Sequence, residues 1–241
     1  MTTETRELLH GYMDAHKLVA ADYGADIDWA DGLRNVKPDA YYVLREGAWV
    51  IVNSGFRYAV ARKLWPALTE AFNDFDPPLV TSDCLKRALA ILNHKRKMVA
   101  ILSLADEVRS QDGEGWKQIV LDAQDPPKLT RLPYIGKITC WHYAKVLGAD
   151  VVKPDVHLER AAKAAGFATP LALCEKIRDQ LGERITVIDS VLWRYGEQQK
   201  KRGWPEWDAL WAKGVESTAS LDQACVVTHT STREETSPSR R

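Results

Sequence analysis

The sequence has no surplus of either charge: 33 lysines and arginines balance 33 aspartates and glutamates over 241 residues. A global positive field is therefore excluded as the means of holding a polyanion, and any basic surface has to be local. Cysteine is scarce. Cys84, Cys140, Cys174 and Cys225 are the whole set, too widely spaced for a CxxC pair or for the clustered ligands of a zinc or iron–sulfur centre. Free thiols, no metal and no cofactor are expected. No apolar run approaches the roughly 18 residues that cross a bilayer. The opening MTTETRELLHGYM lacks the apolar centre of a signal peptide, so the expectation is a cytoplasmic protein without membrane contact. Strand-like alternation is also nearly missing, which excludes most β architectures.

Apolar residues at helical spacing are abundant, from RELLHGYMDAHKLVAADYG through AWVIVNSGFRYAVARKLWPALTEAF to LKRALAILNHKRKMVAILSLADEVRSQ. Stop signals separate them at DFDPP, QDGEG and AQDPP and at Gly148, Gly166 and Gly182. ITVIDSVLWRYGEQQKK would suit a strand or a buried helix, and its length and central Asp-Ser favour helix. The spacing predicts an all-α protein of roughly ten short helices. A hydrophobic share of 45% suffices for one large domain or two small lobes sharing a cleft. Residues 1–215 form the expected helical domain, and 216–241, rich in Ser and Thr, a flexible tail. CLKRALAILNHKRKMVA gathers Lys86, Arg87, Lys95, Arg96 and Lys97 without an acid. It fits a solvated helix end and a phosphate-facing patch equally.

Residues 125–148 carry the most information. Asp125 and Pro126 can start a short helix, Pro133 stops it, and Gly136 opens the next, giving helix, tight hairpin, helix. Free backbone N–H groups around Gly136, Lys137 and Ile138 at that second helix N-terminus make an anion site, which a nucleic-acid phosphate would fill. One helix later, Lys153-Pro154-Asp155 sets an aspartate at the start of HLERAAKAAG. Its default role is an N-cap.

Taken together, Leu132-Pro133-Tyr134-Ile135-Gly136, Thr139 and Cys140, then Pro154, Asp155, His157, Leu158 and Arg160, resemble the helix-hairpin-helix DNA glycosylase superfamily. That family's pattern is L-P-G-[IV]-G-x-x-T-A followed by [VP]-D-x-H-[VL]-x-R. The resemblance covers residues 40–165 and, more weakly, the last helices. VIVNSGFRYAVARKLW looks like the family's wedge-loop segment. Four departures stand out: Tyr134 replaces the first glycine, Cys140 replaces alanine, Ile138 stands where lyase members carry lysine, and the four-cysteine cluster is missing.

The resemblance implies a two-lobed helical fold with a DNA-binding cleft between lobes. It implies a monomeric DNA glycosylase acting on double-stranded DNA without a cofactor. Asp155 would be the catalytic carboxylate, and Tyr134, Gly136, Lys137, Ile138 and Thr139 the backbone grip. Asn53, Ser54, Phe56, Tyr58, Trp141 and Trp193 are the wedge or pocket candidates, with Tyr143 a further aromatic, and His157 and Arg160 the supporting residues. Without lysine at 138, water should attack the sugar, so monofunctional hydrolysis without AP-lyase activity is expected. The excised base is left open, from repair substrates to a hypermodified base of phage DNA such as glucosylated hydroxymethylcytosine. The rival reading is a non-catalytic helix-hairpin-helix DNA-binding protein in which Asp155 is only a cap. A third, an RNA-directed module, leaves the proline-held aspartate unexplained.

Overall fold

The computed structural model describes residues 2–212, and the tail expected at 216–241 lies outside them. The described residues contain helices and turns and no strand. Eleven α-helices follow one another: α1 (Thr3–Gly32), α2 (Ala40–Asn53), α3 (Tyr58–Ala71), α4 (Cys84–Ile91), α5 (Lys95–Gly113), α6 (Gly115–Asp122), α7 (Thr139–Val146), α8 (Val156–Ala164), α9 (Pro170–Leu181), α10 (Ile185–Arg202) and α11 (Trp207–Ala212). The all-α expectation holds, and the ambiguous ITVIDSV stretch is the start of α10.

Local chemistry sets the boundaries. Thr2 caps α1 through the Thr5 N–H, Asp39 caps α2 through Tyr42, and Thr169 caps α9 through Ala172 with Pro170 as the first helical residue. Gly182 and Gly203 end α9 and α10 in the left-handed conformation that glycine adopts at least cost. Leu8, Tyr12, Ala15 and Val19 recur along α1 at intervals of three and four and are buried together.

The apolar residues bury into two clusters. One is built from α2 to α7, with Leu44, Ile51, Leu68, Phe72, Met98, Ile101 and Tyr143 at its centre. The other joins α1 to α8, α9, α10 and α11 around Tyr12, Leu158, Ile177, Ile188, Leu192 and Tyr195. The chain thus starts in one cluster, builds the other, and returns. Each fully buried Leu, Ile or Phe contributes about 1.5–3 kcal/mol. In the second cluster Tyr195, Trp204, Trp207 and Trp211 form a run of ring contacts with centroids 4.9–5.7 Å apart. Gly11 lets α1 close on it, since a Cβ there would lie 2.6 Å from the Trp211 ring. The Lys153–Asp155 segment leaves the first cluster at the end of α7 and enters the second at α8, so Asp155 sits where the chain crosses between them.

Candidate nucleic-acid interface and the Asp155 turn

The segment before the hairpin is a 3-10 turn, Pro126–Arg131, and the Asp125 carboxylate pairs with Lys128 at 3.4 Å instead of capping it. At the bend Tyr134 takes a φ of 66°. The left-handed region is what the family's glycine supplies freely, and a side chain there costs about 1 kcal/mol or more. The ring offsets part of that cost. It meets the His94 ring edge-on at 6.0 Å and lies 5.3 Å from the Lys97 ammonium.

The helix after the hairpin opens at Thr139, three residues later than Gly136 suggested. The Thr139 hydroxyl accepts from the Gly136 N–H at 2.7 Å, so that N–H is not free as expected. In the hairpin the N–H groups of Lys137, Ile138 and Thr139, like that of Tyr134 at the bend, have no acceptor among the described residues. Gly136, Lys137 and Ile138 are exposed. A Cβ on Gly136 would meet only the Thr139 hydroxyl, at 3.8 Å, so no contact within the chain demands glycine there.

Lys97 joins the hairpin to the expected wedge loop. It is buried, 2% exposed, and its ammonium donates to the carbonyls of Ile51 (2.6 Å), Val52 (2.7 Å) and Ser54. It also lies 4.5 Å from the Phe56 ring. Burial pulls its pKa down to about 8, still above neutrality, and all three hydrogens have acceptors. Ser54, Phe56 and Tyr134 are therefore gathered around one cation. Asn53 Oδ1 is buried with no hydrogen-bond partner among the described residues. The sequence placed Lys97 in a basic run that was either a solvated helix end or a phosphate-facing patch, and the structure corrects both readings for this residue: it is buried and its ammonium is taken up by backbone carbonyls. The signal for that burial was its register: it lies on the α5 face that buries Ile101 and Leu104, four and seven residues on.

The other aromatic candidates scatter. Tyr58 is 49% exposed with its ring edge-on to Trp49 at 5.9 Å. Trp141 packs against the first apolar cluster and Trp193 against the second, under the Arg194 guanidinium at 4.7 Å. Tyr143 is a core residue, fully buried and donating to the Val43 carbonyl at 2.6 Å, so no ligand reaches it.

Asp155 begins α8 in the capping position. Its Oδ1 accepts from the N–H groups of His157 (3.0 Å) and Leu158 (3.3 Å), and its Oδ2 lies 3.3 Å from the Lys153 ammonium. The side chain keeps 14% of its surface exposed. His157 contributes its backbone N–H, and its side chain lies against Gly196, where a Cβ would come within 2.9 Å of Nδ1. Arg160, expected to pair with a carboxylate or a phosphate, is exposed and makes no salt bridge to a carboxylate among the described residues. Glu159 and Arg160 instead line a shallow hollow of about 320 Å³ beside Phe167.

Behind Asp155, Asp189 on α10 uses one oxygen for the Lys145 ammonium (2.5 Å) and the other for the Lys153 N–H (2.9 Å). His142, one turn before Lys145, is pushed down to about 3 by burial and then by the positive charges of Lys153 and Lys145. At neutral pH it is an uncharged imidazole. Trp29 of α1, 48% exposed, has its ring 5.7 Å from the Lys145 ammonium. Sequence reasoning gave no site role to Asp189, Lys145, His142 or Trp29. No group of three or more His, Cys, Asp or Glu able to hold a metal occurs among the described residues, and no described helix is long and apolar enough to cross a membrane. Comparison with protein families, curated proteins and solved structures finds nothing that matches this chain.

Proposed function

We propose that this protein is a monofunctional DNA glycosylase that flips a damaged or modified base from double-stranded DNA and hydrolyses its N-glycosidic bond. The observation that carries the reading is the pairing of two features within one short stretch of chain. A hairpin presents unpartnered N–H groups at Lys137, Ile138 and Thr139, and a partly exposed carboxylate, Asp155, is held by two backbone amides. The first suits a phosphate. The second suits the positive charge that grows on the sugar as the base departs. Ile138, 44% exposed, offers no amine, and the Lys153 amine is occupied by its ion pair with Asp155. Both points support attack by water.

The test is release of free base from a panel of oxidised, alkylated, deaminated and phage-type modified duplexes, read by mass spectrometry for wild type and Asp155→Asn. The expected result is a base released by wild type, an intact abasic strand, and a rate lower by about 100-fold or more in the variant. One observation favours the non-catalytic reading: both amide bonds to Asp155 end on Oδ1, and asparagine would accept them equally well. In that case wild type and variant bind duplex alike and neither releases a base.

A further inference from the structure

Helix α10 holds the connection from α7 to Asp155 at three points. The Thr186 hydroxyl donates to the Ala149 carbonyl (3.3 Å), the Thr186 N–H to Asp150 Oδ1 (2.9 Å), and the Lys153 N–H to Asp189 Oδ1 (2.9 Å). The last of these bears directly on the candidate carboxylate. The Asp155 N–H donates to the Lys153 carbonyl at 2.8 Å, a tight turn that ties the backbone of one residue to the other. The Lys153 ammonium then reaches Asp155 Oδ2 at 3.3 Å. Whatever fixes Lys153 fixes Asp155 from both sides.

Asp189 is in turn fixed from behind. Its Oδ2 takes the Lys145 ammonium at 2.5 Å, and that ammonium also meets the Ser190 hydroxyl at 3.1 Å. Lys145 is 7% exposed and Asp189 1%. Burying two charges is expensive, and an apolar pair of similar volume is often as stable, so stability alone does not explain the arrangement. Geometry does: the pair orients Asp189 so that its second oxygen points at the Lys153 N–H.

We infer that Asp189, locked by Lys145, is a positioning residue for Asp155. The inference deepens the glycosylase reading and rests on it for its catalytic meaning. Lys145 projects from the hairpin's own helix, so the same pair also ties the proposed phosphate grip to the proposed catalytic turn.

The test uses the full chain in two double variants that both remove the ion pair without stranding a charge. Lys145→Met with Asp189→Asn keeps an acceptor for the Lys153 N–H, and Lys145→Met with Asp189→Leu removes it. Single-turnover base release should fall in both, because both lose the lock, and by about 10-fold or more further in the second, which also loses the acceptor for the Lys153 N–H. Duplex affinity and thermal midpoint should be matched between the two. Placed on an Asp155→Asn background, the leucine pair should add no further loss. Hydrogen exchange of the peptide spanning residues 149–158 should quicken more with leucine than with asparagine. Equal rates in the two double variants, or equal exchange, overturn the inference. If wild type releases no base and the exchange difference still appears, the glycosylase reading falls while Asp189 stands as the residue that sets the turn.

Discussion

Replacing Lys97 by methionine keeps the length of the side chain and removes its charge, which makes the hairpin-to-loop clasp measurable. The ammonium donates to the carbonyls of Ile51, Val52 and Ser54. Ile51 and Val52 lie in the last turn of α2, whose carbonyls have no partner within the helix. Hydrogen bonds from a charged donor contribute about 1.5–3 kcal/mol each, so three amount to roughly 4–9 kcal/mol. Against this stands the cost of desolvating the ammonium. Its pKa falls from 10.5 to about 8, which corresponds to roughly 3 kcal/mol. The difference, reduced where water can reach the Ser54 carbonyl, leaves a net loss of about 1–5 kcal/mol. For a chain of this size that lowers the thermal midpoint by roughly 2–20 °C. Urea unfolding followed by tryptophan fluorescence and circular dichroism, with unchanged slope, is the assay. Because Lys97 also touches the Phe56 and Tyr134 rings, exchange of the hairpin amides should quicken in the variant. A loss below about 0.5 kcal/mol would refute the reasoning, since the three carbonyls would then be as well satisfied by water.

Tyr134 supplies a differential test of backbone strain. Tyr134→Ala keeps the left-handed penalty and loses the ring contacts, whereas Tyr134→Gly loses the contacts and the penalty together. The glycine variant should be more stable than the alanine variant by about 1 kcal/mol in urea melts, and equal stability would show that the bend is unstrained. His142 makes a prediction about acid. Its folded pKa lies near 3, below the ordinary 6.5, so between those values the unfolded chain holds a proton that the folded chain lacks. Stability from this group therefore falls as pH drops from 6.5 towards 3, by at most about 1.4 kcal/mol per pH unit. His142→Gln should remove that component, so the profiles of wild type and variant diverge below about pH 6 and run parallel above pH 7. Parallel profiles throughout would place His142 in water.

Helix content and helix ends were legible because they rest on local chemistry: apolar spacing, Thr169-Pro170 at a start, Gly182 at a stop. Asp155 was legible as a cap for the same reason, since its bonds go to amides two and three residues ahead. Contacts between residues far apart in sequence were not. Lys97 reaches carbonyls 43–46 residues away and Lys145 reaches Asp189 44 residues away, and no local pattern encodes either partner. The hairpin falls between these cases. Its bend was readable from Pro133 and Gly136, but the Thr139 hydroxyl that occupies the Gly136 N–H was hidden, because a threonine near a helix start can turn either inward or to solvent.

The cap and the reagent readings of Asp155 ask for different chemistry but for much the same geometry. A carboxylate that is to face a sugar cation has to be fixed before the reaction begins, so that no reorganisation is needed as charge develops. Two amides at a helix N-terminus do this with one oxygen and favour negative charge there. The second oxygen is then what separates the readings. In a plain cap it is surplus. Here it is engaged by Lys153, whose backbone is in turn held by Asp189. In the glycosylase reading this engagement fixes the carboxylate from its second side and keeps the lysine amine occupied, which leaves water to attack the sugar. In the cap reading it is a partly exposed ion pair worth little to stability, so the tie from Asp189 through Lys153 to Asp155 has a use in the first reading that it lacks in the second.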